Sequence, residues 1–280
     1  AETLRLYESM NHEADPLRNL ETSPNFQTAI DTLTKLQERV GTALLAYYVT
    51  PNVVLTLSGA RAYCDDVFYA QDDKKLNSLS HQIAESLDAL KSTEDVYFAR
   101  SGIDQSTTGK KYAGYGVLFA RGLARSLENT QLLDEAGRQE LLKQKLSGEE
   151  LTDKMVALLK QNKQLIGLSD ENLTHVAFGI LVGYPDKAIT GSIRKWDEDP
   201  SESEDPLVDA RIEGASYYNC PQPVYSYPRS LADDPDIVAH EQLWSSILDD
   251  FYKSDFHTKL AADPDFQAKA KELGLYESDE

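Results

Sequence analysis

His240 and Glu241 stand side by side in a chain of 280 residues with five histidines. A His-Glu pair on a helix does zinc chemistry when a second imidazole follows four residues after the first, because that step sets both ligands on one helix face. Position 244 is Trp, so this stretch supplies one imidazole ligand. His240 also falls on an apolar helical face between Ile237 and Trp244, which suits a core histidine with a satisfied hydrogen bond. The catalytic alternative is a hydrolase or transferase in which His240 and Glu241 meet a residue from a distant segment, such as His175. That alternative needs a polar pocket that gathers side chains from separate elements.

The remaining reactive types are arranged no more favourably. Cys64 precedes Asp65 and Asp66, whose charges oppose thiolate formation, and it reads as a small inward-facing hydrophobe. Cys220, between Asn219 and Pro221, reads as the more exposed thiol. A disulfide between the two is expected if the fold of a secreted protein brings them together. Residues 102–111 have the outline of a phosphate loop. Six residues separate Gly102 from Gly109 where four are needed, and Lys111 occupies the place of the magnesium-binding hydroxyl. A flexible hinge entering a helix near Tyr115 is the expectation there. Ser192-Ile193-Arg194-Lys195 matches Ser-x-x-Lys without its companion motifs. The acidic run 197–209 fails as a calcium loop, since Glu202 replaces the turn glycine and Val208 the bidentate Glu. No metal and no cofactor is expected from these spacings.

Binding is better supported than catalysis. Net charge is −19, and residues 197–280 hold 21 Asp/Glu against 6 Lys/Arg. Such a body repels phosphate backbones, so nucleic acid is excluded as an expected partner, and a basic protein partner is favoured. Tyr217, Tyr218, Tyr225 and Tyr227 follow the acidic run. Tyrosine gives large contact area at low entropic cost, so these four are the expected binding residues, with 197–209 as steering charge. A third reading is a carrier of a small apolar ligand held among helices near Tyr47, Tyr48 and Tyr63.

The elements that must position these residues are mostly helices. Apolar residues from Phe26 to Tyr47 recur at three- and four-residue steps, after a Ser23-Pro24 start. Thr50-Pro51 opens a second such pattern through Val53, Leu57, Ala60, Cys64 and Val67, and Leu76 to Leu90 gives a third. Between Val40 and Ala60 no charge occurs, which is long enough to span a bilayer. Thr50-Pro51-Asn52 at its centre would leave polar backbone in lipid, so a buried helix pair is expected and no membrane span. Later helices are announced by Ser147-Gly148-Glu149-Glu150, by Ser169, by Asp234-Pro235 and by Asp263-Pro264. Residues 197–235 carry six of the eleven prolines and no helical period, although Val224 to Tyr227 alternates like a strand.

The expected fold is therefore mainly α: a multi-helix, orthogonal or bundle-like globular fold with one long Pro/Tyr/acid-rich irregular insertion and a small β-hairpin. Residues 1–196 form its helical core, 197–235 the insertion, and 236–280 C-terminal helices that pack on the core. The sequence leaves a secreted or periplasmic and a cytoplasmic location open, and the start at Ala1, which suits a removed leader, leans to the secreted one. The final Glu277-Ser278-Asp279-Glu280, after Leu275-Tyr276, resembles the glutamate-rich tails of bacterial type IV secretion effectors. That resemblance covers fewer than ten residues and implies only a secreted bacterial interaction protein or effector.

Overall fold

The computed structural model describes residues 24–94, 96–144, 146–196, 203–220 and 222–276. Ala1, Ser23, residues 197–202 of the acidic front and the acidic tail from Glu277 lie outside the described residues. The fold is mainly α with small antiparallel sheets. Two compact units are present, each built from separated stretches. A sheet unit comprises Pro24–Phe119, Ile212–Pro223 and Leu243–Glu280, and a helical unit holds Ala120–Arg211 and Val224–Gln242. These boundaries differ from the divisions at 196 and 235 suggested by composition, and the tyrosine-rich segment is shared between the units.

In the sheet unit, α1 (Phe26–Val40) starts at Asn25, whose side chain accepts from the Thr28 N–H. It ends at Gly41, with φ of 82°, so the apolar pattern expected to run to Tyr47 is interrupted. A 3-10 turn, Ala43–Tyr48, and α2 (Pro51–Leu57) follow. Residues 45–59 are all buried, so the uncharged stretch is core. Among the described residues no helix is long and apolar enough to cross a membrane.

The second helix does not continue to Val67 as expected. Gly59, with φ of 85°, breaks it, and Tyr63–Tyr69 forms strand β1. Steps of three and four that end on Cys64 and Val67 are overridden by an aromatic and β-branched strand sequence. Alternation turns Cys64, Asp66 and Phe68 inward. Helix α3 (Asp73–Thr93) follows, with Leu76, Leu79, Ile83, Leu87 and Leu90 buried as the spacing requires. The expected glycine hinge is instead a hairpin of β2 (Val96–Gln105) and β3 (Lys111–Phe119), and Tyr115 lies in a strand. The sheet order is β1-β3-β2, antiparallel throughout. Two of its glycines serve close approach: a Cβ at Gly116 would lie 2.5 Å from the Tyr63 hydroxyl, and one at Gly114 3.0 Å from the Asp66 carbonyl.

The helical unit carries α4 (Ala120–Asn129), α5 (Glu135–Lys143), α6 (Gly148–Leu159), α7 (Asp170–Leu181) and α8 (Asp186–Lys195). Ser147 and Glu150 form the expected reciprocal cap of α6, and Ser169 caps α7. Strand β4 (Leu207–Asp209) pairs with β5 (Ser226–Pro228), so the strand-like alternation of 224–227 is partly realised. Helix α9 (Pro235–Tyr252) contributes its first eight residues to this unit and the rest to the sheet unit. There α10 (Asp255–Ala261) and α11 (Pro264–Glu272) follow; Asp263 caps α11, which packs on the Ala43–Tyr48 turn.

Candidate functional site

Two glycines shape the helical unit. A Cβ at Gly179 of α7 would meet Ile189 of α8 at 2.9 Å, and a Cβ at Gly191 of α8 would meet Pro228 of β5 at 2.7 Å. Glycine inside a helix costs about 1 kcal/mol against Ala, so both positions trade helix propensity for close packing. Beside these contacts the side chains leave a cavity of about 270 Å³. Its walls are mainly Phe178, Tyr184, Ile189, Ile193, Trp196 and Tyr225, and its polar lining includes Ser192 and Ser226. His175 also lines it and meets the exposed Trp196 ring edge-on, with centroids 4.5 Å apart.

The hydroxyl protons around this cavity are committed to the protein. Tyr184 donates to the Val224 carbonyl at 3.1 Å, Ser192 to the Ser226 carbonyl, and Ser226 to Asp209 Oδ1 at 2.7 Å. His240 decides the fourth. Its Nε2 lies 2.7 Å from the Gly183 carbonyl, which only accepts, so Nε2 carries the proton. Nδ1 then accepts the Tyr225 hydroxyl at 3.0 Å. Burial raises the Tyr225 phenol far above its usual pKa, and Glu241 adds to the effect, so the proton stays in place.

The three sequence-derived catalytic candidates are therefore separated in role. His175 is exposed and lines the cavity. His240 is half-buried and bonds to Tyr225 of the pocket wall. Glu241 is buried, and its Oε1 accepts from the Arg211 N–H at 2.9 Å and the Tyr227 hydroxyl at 2.7 Å, which anchors the chain after β4 to α9.

The four tyrosines expected to offer contact area differ in exposure. Tyr217 is 50% exposed, but Tyr218, Tyr225 and Tyr227 are 5% or less. A tyrosine ring buries readily once its hydroxyl has a partner. Those partners are His257 Nε2 for Tyr218 (2.7 Å), His240 for Tyr225 and Glu241 for Tyr227. Tyr217 lies flat on Tyr252 at 4.0 Å. Tyr47 and Tyr48, suggested as ligand-carrier residues, fill the sheet-unit core and bond to Gln82 and Ser86. Tyr63 covers Gly116.

Other sequence features also take structural roles. The glycine-lysine stretch 102–111 is a hairpin end, and Ser192 donates to a carbonyl while Lys195 donates to Ser203 at 3.4 Å. In the described part of the acidic run, Asp205 accepts from the Ser230 N–H and hydroxyl. No group of three or more His, Cys, Asp or Glu gathers as a metal site among the described residues. Cys64 and Cys220 are free thiols, each pushed up to about 12, by burial first and the Asp66 charge second. The unforeseen feature of the sheet unit is a pair of buried charges. Arg61, 4% exposed, donates to Asn52 and sits 5.5 Å over the Trp244 ring, with its Nε unpartnered. Asp66, also 4% exposed, accepts from Thr50 through Oδ2, and its Oδ1 has no partner.

No protein-family model, curated protein or solved structure matches this chain. Phe178, Tyr184 and Trp196 were not singled out by sequence reasoning. The signal that marks them is the pair of glycines within α7 and α8, which have a packing reason and no helical one.

Proposed function

We propose that this protein is a ligand-binding protein that takes an apolar or aromatic group into the cavity formed by α7, α8 and β5. The observation that carries the reading is the cavity itself: about 270 Å³, walled by aromatic and aliphatic side chains, with its hydroxyl protons already engaged. A concave, mostly apolar pocket with few polar groups is the usual form of a small-molecule site. Catalysis is less well supported, because both ring nitrogens of His240 are engaged with Gly183 and Tyr225, and Glu241 Oε1 accepts from Arg211 and Tyr227. A basic protein partner steered by the acidic surface is the second reading, and among the four tyrosines only Tyr217 is exposed enough to serve it. The same charge disfavours nucleic acid.

The test is direct. Trp196 is 47% exposed and lines the pocket, so its fluorescence reports occupancy. Titration with a set of neutral aromatic and branched-alkyl fragments should give saturable fluorescence changes that are weakened in Phe178→Ala, and calorimetric heats of binding that are lost in Trp196→Ala. Both side chains are substantially exposed, so neither change threatens the fold. Fragment signals unchanged by both substitutions would remove the proposal.

A further inference from the structure

Resting on that pocket as a ligand site, we propose that the group it takes is an alkylated ammonium cation. Four ring systems line the cavity, from Phe178, Tyr184, Trp196 and Tyr225. The face of an aromatic ring is negative and attracts a cation within about 6 Å. The hydroxyls of Tyr184, Ser192, Tyr225 and Ser226 donate to protein acceptors, so what they can offer a ligand is oxygen lone pairs. Among the described residues no Lys, Arg, Asp or Glu lines the cavity. A carboxylate or phosphate entering it would meet oxygen lone pairs and aromatic rings, and the side-chain donors among the described lining residues are the His175 ring and the Trp196 indole.

Charge behind the wall has the same sign. Ser226 hands its proton to Asp209, so a carboxylate stands one hydroxyl behind the lining. The cations of α8 are engaged with other groups: Lys187 with Asp234 and Asp236, Arg194 with the Gln164 carbonyl, Lys195 with Ser203. Alkylation follows from the apolar part of the lining. The aromatic rings and the walls of Ile189 and Ile193 offer carbon against which alkyl groups on the nitrogen pack, and no acceptor for an N–H. A quaternary ammonium carries its charge beneath methyl groups and asks for no hydrogen bonds.

Three isosteric probes separate this inference from the reading it rests on. They are choline, the neutral 3,3-dimethylbutan-1-ol and the anionic 3,3-dimethylbutanoate, each titrated calorimetrically into the full chain. The expected result is at least tenfold tighter binding of choline than of the alcohol, no binding of the carboxylate, and weakening of choline binding by salt. Asp209→Asn should weaken choline severalfold and leave the alcohol unchanged, which a loss of folding would not do. The alcohol binding as tightly as choline overturns the cation and leaves the pocket standing. Failure of all three probes removes both. A trimethyllysine peptide binding more tightly than choline assigns the cation to a protein chain, and the reverse assigns it to a free small molecule; either supports the chemistry.

Discussion

Replacing Asp66 by Asn should change how the stability of the sheet unit depends on pH. Asp66 faces inward from β1, and burial is the main cause that lifts its pKa from 3.8 to about 7. The Thr50 hydrogen bond opposes the lift, Asp65 adds to it, and Arg61 opposes it. A carboxyl raised on folding stabilises the folded state while it holds its proton. Its contribution is full below pH 3.8 and is lost as pH rises towards and through 7. Between pH 5 and pH 8 the two values imply a loss on the order of 2–3 kcal/mol. Asn keeps an oxygen for the Thr50 hydroxyl and cannot ionise, so that loss should vanish in Asp66→Asn. The chain has two tryptophans, and Trp244 belongs to the sheet unit. In a Trp196→Phe background its fluorescence therefore follows urea unfolding of that unit. If stability falls in parallel between pH 5 and pH 8 with and without the Asp66→Asn substitution, the reasoning is refuted.

Three further outcomes follow from contacts already described. His257, its Nε2 bonded to Tyr218, is lowered to about 4 by burial, so it should lend stability above pH 6.5 that is lost as pH falls from 6.5 to 4; a proton NMR titration should find its ring neutral down to about pH 4. Gly179→Ala should overpack α7 against Ile189, cost about 1–3 kcal/mol in denaturant unfolding and reduce fragment binding in the pocket. Tyr227→Phe should leave the buried Glu241 one donor short and cost about 1–3 kcal/mol, read by thermal or urea melts, without changing ring packing.

Helix starts were the most legible part of this chain. Ser147, Ser169 and Asp263 each cap the helix that their residue type announced, because the cap is a local bond that three or four residues can complete. Strands were less legible. Cys64 and Val67 fit a helical step as well as a strand, and only pairing with Val117 and Gly114 in β3 decides the matter. Gly114 and Gly116 read as flexibility, yet they sit in a strand because Tyr63 and the β1 backbone crowd them. The burial of three of the four tyrosines was hard to read for a related reason. Whether a phenol is exposed depends on partners such as His257 and Glu241, which lie 39 and 14 residues away in the chain. The pocket was equally out of reach, since its wall comes from α7, α8 and the segment around β5, and no single window holds it.

The chain passes between its two units at 119/120, 211/212, 223/224 and 242/243. During synthesis, the Ala43–Tyr48 turn must therefore wait for α11 to leave the ribosome before its packing partner exists, and α8 must wait for β5. Neither unit is a contiguous gene fragment, so expressing 24–119 or 120–211 alone should yield an exposed, chaperone-dependent intermediate. Nicking the chain, by contrast, should leave the pieces associated.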